Sequence, residues 1–133
     1  MHWFGIVQYV GPDRTADWTA FYSQLMGFTP IPDEGRFGIM PSGLLLESPC
    51  RKFFLQLIEP EDSARFADMD EHLQRIGIGT PDVPAAVASL EKRGVGFLAT
   101  DRVKPSERGA LTRPLAGGMM FELVKSVREG EAR

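Results

Sequence analysis

The feature that most constrains this chain is an internal repeat. "GIVQYVGPDRTADWTAFYSQLMGF" and "RIGIGTPDVPAAVASLEKRGVGF" share one plan. Each runs from an apolar strand to a Pro-Asp turn, a helix, a glycine and an aromatic residue, and further strands follow each copy. Such self-similarity points to two copies of one supersecondary unit sharing a core. The expected architecture is α+β, with two tandem βαβββ modules forming a half-open barrel. The modules span about 3–60 and 74–126 of a single domain over 1–126, followed by a charged tail over 127–133. The repeat aligns Gly5 with Arg75.

Local signals fill in the plan. "FGIVQYVG" (4–11) reads as a strand that stops at Gly-Pro. In the helix after it, Trp18, Phe21, Tyr22 and Leu25 form an i, i+3, i+4, i+7 stripe, expected to lie in the core. Asp13 or Thr15 is the expected cap, and Gly27 the left-handed stop. "LLLES" and "KFFLQLIE" read as two strands, the second apolar on both faces and so covered on both. Phe66, Met69 and Leu73 in "EDSARFADMDEHLQ" predict a short helix or turn, with His72 at its exposed end. Asp82 caps a second helix that presents Val83, Val87 and Leu90 on one face, tolerates Pro84 in its first turn and closes at Gly94. "GALTRPL" and "GMMFELVKS" are the final strands, turned at Ala116–Gly118.

The 133 residues are 43% hydrophobic, enough for a core of one domain. A net charge of −3 with no basic stripe argues against nucleic acid. No apolar run is long enough to cross a bilayer and no signal peptide is visible. Cys50 is the single cysteine and reads as a turn residue, which fits a reducing, cytoplasmic setting.

"MMFELVKS" raises the chemical question. Glu122 stands in an apolar strand, where a buried carboxylate needs a partner: a metal, a cation of the protein, or water. The histidines are His2 and His72 alone.

The two modules resemble the vicinal oxygen chelate superfamily of glyoxalases, bleomycin-resistance proteins and extradiol dioxygenases. "WTAFYSQLMGF", "SPCRKFFLQLIEP", "IGIGTPDVPAAVASLEKRGVGFL", "LTRPL" and "MMFELVKS" resemble in particular the metal-binding domain of 4-hydroxyphenylpyruvate dioxygenases, over nearly the whole chain. That resemblance implies iron(II) held by two His and one Glu. Glu122 matches the Glu, but Gly5 and Arg75 stand where the two His belong. His2 and His72 each lie three residues early, and an odd offset on a strand points to the opposite face. Where the family often has an Asn on the central strand, this chain has Ile58, with Gln56 on the same face as a substitute amide or as part of the cavity wall. The expectation is therefore that Arg75 pairs with Glu122 in place of iron.

The implied function is a dioxygenase-like domain without cofactor, acting as a non-catalytic small-molecule-binding or structural module. Arg75, Gln56 and Glu122 would meet a small anionic or aromatic acid, and Arg113 would be a second anion contact or a solvent-facing residue. The alternative is an enzyme in which Glu122, with His2, His72 or another chain, holds Fe(II) or another divalent metal. A homodimer or a fused partner domain is a further expectation, and the start at "MHWFGIV" and the charged tail are compatible with a piece of a longer protein.

Overall fold

The computed structural model describes residues 1–32, 43–60, 71–101, 103–115 and 118–127. Among these the elements are β1 (His2–Tyr9), α1 (Thr15–Met26), β2 (Thr29–Pro30), β3 (Leu44–Glu47), β4 (Phe54–Ile58), β5 (His72–Thr80), α2 (Val83–Lys92), β6 (Gly109–Leu111) and β7 (Met120–Lys125). They fall into two compact units. One comprises the described residues from Gly5 to Gln74, and the other joins Met1–Phe4 to the residues from Arg75 onward.

In the first unit β2 pairs with β3 and β3 with β4, both antiparallel, and β4 runs parallel to β1. Parallel neighbours need a crossover, and α1 lies within it. Val10, Leu46, Leu55 and Leu57 are buried, with Ile6, Trp18, Tyr22 and Phe28 packed on them. The Tyr22 hydroxyl donates to Gln8 Oε1 at 2.6 Å. Helix α1 ends as its sequence predicts. Gly27 has φ 73°, and the amides of Gly27 and Phe28 return to the carbonyls of Ser23 and Tyr22.

The start of α1 differs from expectation. Arg14 occupies the cap position with no side-chain capping bond, and Asp13 takes a left-handed φ of 59°. The Thr15 hydroxyl instead donates to Glu59, and the Asp13 amide donates to the same carboxylate at 2.8 Å. The apolar stripe is also only half used. Trp18 and Tyr22 pack on the sheet, whereas Phe21 and Leu25 are 38% and 73% exposed. Periodicity identifies a face but not how much of that face the sheet covers.

The second unit repeats the plan. β5 is parallel to β7, with α2 in the crossover, and β6 is antiparallel to β7. The strand equivalent to β2 is reduced to one bridge, Phe97 to Thr112. Asp82 caps α2 by accepting the Ala85 amide at 3.0 Å, and Pro84 lies in the first turn where its missing N–H costs nothing. Val83, Ala86, Val87, Phe97, Ala110 and Leu123 form the core, with Ile78, Leu90 and Val95 against it.

Two further expectations change. His72 opens strand β5 and does not end a helix, because "HLQRIGIGT" continues the extended run upstream of Arg75. Phe66 and Met69 of the expected helix lie outside the described residues, as do Ala116 and Gly117 of the last turn. Leu73, expected on that helix's apolar face, is 54% exposed on β5. No helix among the described residues is long and apolar enough to cross a membrane.

Candidate functional site

The registers of the two units show where the repeat places polar side chains. β1 and β4 align Gly5 with Phe54 and Val7 with Gln56. β5 and β7 align Arg75 with Met120 and Gly77 with Glu122. Gly5 and Arg75 are thus equivalent, and so are Gln56 and Glu122, a buried amide in one unit and a buried carboxylate in the other. Gln56 is 6% exposed and Glu122 5%.

Arg75 and Glu122 lie on one face of their strands, diagonal to each other across the β5–β7 pair, because side chains alternate with period two. Gly77, beside Glu122, brings no side chain to compete for the space. Arg75 Nη1 lies 3.7 Å from Glu122 Oε1, and the arginine is 4% exposed. The separation is that of an ion pair rather than a hydrogen bond. Burial pushes the Glu122 carboxyl above its ordinary range, and the Arg75 charge pulls it partly back. Oε1 of Glu122 accepts no hydrogen bond among the described residues. The two groups therefore meet as buried charges.

The remaining candidates fall in both units. Gln56 belongs to the first unit, on β4. His72, also in that unit, is exposed and stacks on Tyr9 with ring centroids 5.7 Å apart. His2 is held by Ser126, Nε2 to Oγ at 3.0 Å. It fills the space a side chain on Gly79 would need, since a Cβ there would lie 2.3 Å from Nε2. Arg113 is exposed; its amide donates to the Gly96 carbonyl at 2.9 Å and its side chain lies along Gly96.

Among the described residues no three His, Cys, Asp or Glu side chains converge as a metal requires. The Arg75 guanidinium stands beside Glu122, and its charge would oppose a divalent cation there. Position 5 is closed as well as vacant: a Cβ on Gly5 would lie 2.0 Å from the Phe54 carbonyl oxygen, so an imidazole cannot enter without moving β1 from β4. The sequence shows a glycine at position 5 but not this close approach.

Sequence reasoning missed a second cluster, around Glu71. Its carboxylate receives the Gly11 amide at 2.9 Å, the Trp18 indole N–H at 2.8 Å and Arg14 Nη2 at 3.2 Å. The Arg14 bond first, then the Gly11 amide, hold this carboxyl down to about 2. It ties the β1–α1 turn to the start of β5, a structural role for which the local sequence "DEHLQ" carries no signal.

No protein-family model matches the chain, and no curated protein matches it in sequence. Solved structures do match in fold. Methylmalonyl-CoA epimerase from Mycobacterium tuberculosis superposes with a TM-score of 0.66 at 17% identity, over 96% of this chain and 89% of that one. A variant of the Streptomyces coelicolor methylmalonyl-CoA epimerase in complex with 2-nitronate-propionyl-CoA gives 0.65 at 22%, over 96% and 99%. A xylose isomerase-like TIM barrel/4-hydroxyphenylpyruvate dioxygenase fusion protein gives 0.60 at 15%, over 97% of this chain and 26% of the fusion. With its two βαβββ modules and these neighbours, the chain has the fold of the vicinal oxygen chelate superfamily.

Proposed function

We propose that this protein is a metal-free, non-catalytic module that binds a small anionic or aromatic acid at Arg75. The observation that carries the reading is the buried Arg75–Glu122 pair at 3.7 Å, on the strand position that the resemblance assigns to a metal-bound Glu. A carboxylate ligand would take the guanidinium in a two-pronged fork, the geometry arginine provides best. Glu122 would then have to give up the cation. It does so by taking a proton, which its burial already favours. Binding is therefore coupled to proton uptake and strengthens as pH falls. Gln56, at the equivalent position of the other unit, is read as a buried amide of the same kind. The neighbours named methylmalonyl-CoA epimerase, and the one with dioxygenase in its name, supply the fold of this reading and not its chemistry.

Calorimetric titration with phenylpyruvate and 4-hydroxyphenylacetate, in the presence of a chelator, tests it. Binding that persists in chelator, tightens toward pH 5 and disappears in Arg75→Met is the expected result. Binding that needs an added divalent ion, or turnover of phenylpyruvate with Fe(II) and O₂, would overturn it.

A further inference from the structure

The second unit carries a cleft that the ion pair does not use. Its volume is about 440 Å³, and Trp3, Ile78, Leu90, Val95, Phe121 and Leu123 contribute to its walls. All of these residues belong to one compact unit. On β5 and β7 the side chains of Ile78 and Leu123 face α2, packing into the core beneath that helix. By the alternation of a strand, Arg75 and Glu122 project from the opposite face. The cleft is thus a separate place from the site proposed above.

We propose that this cleft binds a small, uncharged, mainly apolar molecule, a ring system or short acyl chain bearing one carbonyl or ether oxygen. Three observations carry the assignment. The volume falls in the range of small-molecule sites, roughly 300–1,000 Å³. No Asp, Glu, Lys or Arg lines it, so no carboxylate, ammonium or guanidinium side chain would repay the hydration a charged ligand loses. His2 and Thr112 are the polar side chains of the lining, and His2 Nε2 is already engaged with Ser126 Oγ at 3.0 Å. Thr112 lines the cleft, and its Oγ1 accepts the Phe121 amide at 3.0 Å. A hydroxyl holding an accepted bond still has its own proton to donate. That proton selects a ligand with one acceptor and orients it.

A second copy of the chain is a poorer occupant. A two-fold contact whose axis passes through the cleft would set hollow against hollow, and the lining would then gain few atoms from its mate. The Trp3 ring is 63% exposed and lines the cleft, where a bound ring would lie against it.

The test uses the neutral fluorophore N-phenyl-1-naphthylamine with the full chain, followed by its emission and by quenching of tryptophan. One saturable site per chain is expected, displaced by an uncharged aryl ketone. Phenylpyruvate, the probe for the Arg75 site, should leave the signal unchanged, so that the two proposals stand or fall separately. Val95→Trp fills the cleft and should weaken probe binding at least about tenfold. Leu115→Trp, at a lining position that is 43% exposed, should do the same if Val95→Trp fails to fold by circular dichroism. Thr112→Val should leave the fluorophore bound but weaken the ketone several-fold. Absence of saturable binding would overturn the proposal, and so would full affinity in a folded cleft-filling variant. Light scattering supplies a third contrary result: a dimer at the probe concentrations that Leu115→Trp dissociates would assign the surface to a second copy.

Discussion

Replacing Arg75 with Met keeps an unbranched apolar stem and removes the charge next to Glu122. At 3.7 Å the attraction between two unit charges is about 4.5 kcal/mol for an effective dielectric near 20. The net worth is smaller, because burial of both groups opposes it. The loss on substitution also has a ceiling, since Glu122 can escape by taking a proton. Holding a carboxyl neutral at pH 7 costs about 1.4 kcal/mol for each unit above its ordinary value of 4.5, or roughly 3.4 kcal/mol in all, and only about 0.7 kcal/mol at pH 5. The sign follows from linkage. A carboxyl whose folded value is raised favours the folded state below its unfolded value, and that contribution is lost as pH rises through the folded value. Arg75→Met raises the folded value further, so the variant's deficit should grow from under about 1 kcal/mol at pH 5 to about 2–3 kcal/mol at pH 7. Urea denaturation at four pH values between 5 and 8 reads this directly. In Arg75→Met/Glu122→Gln the pH-dependent part should vanish. A deficit of equal size at pH 5 and pH 8, or one that survives in the double variant, would refute the ion-pair argument.

Other substitutions probe the frame around the site. Glu71→Gln removes the charge that holds Arg14, Gly11 and the Trp18 indole, and should cost about 1–3 kcal/mol in chemical denaturation. Because the Glu71 carboxyl is depressed to about 2, its contribution is present above an unfolded value near 4.5 and is lost as pH falls toward 2; the Gln variant should lack that acid limb. Asp82→Ala deletes the cap of α2 and should lower stability by about 1 kcal/mol, while Asp82→Asn should recover most of it. Gly5→Ala drives a methyl into the Phe54 carbonyl and should cost about 1–3 kcal/mol or prevent folding, measurable as a lowered Tm.

What was legible in the sequence was whatever local chemistry controls. The α2 cap and its Val83-Val87-Leu90 face follow from Asp82, Pro84 and the 3.6 period. β4 is apolar on both faces, and Leu55, Gln56, Leu57 and Ile58 are all buried. The Arg75–Glu122 approach was readable because the resemblance put both residues at metal-ligand positions and an unpaired charge there is costly. What stayed hidden depends on distant partners. Phe21 and Leu25 fit the same stripe as Trp18 and Tyr22, yet only the latter two reach the sheet. His72 follows acidic residues that look helical, but pairing elsewhere along β5 decides its state. Glu71 gathers donors from a turn and a helix some 53 to 60 positions away, a convergence no local window contains. The 440 Å³ cleft is likewise built by residues from both ends of the chain.

The most direct test of the central claim is an anaerobic calorimetric titration of the purified chain with Fe(II), repeated with Mn(II) and on Arg75→His. An arginine that already neutralises Glu122 predicts no stoichiometric heat in the native chain. One tightly bound ion per chain, abolished by Glu122→Gln, would contradict the account.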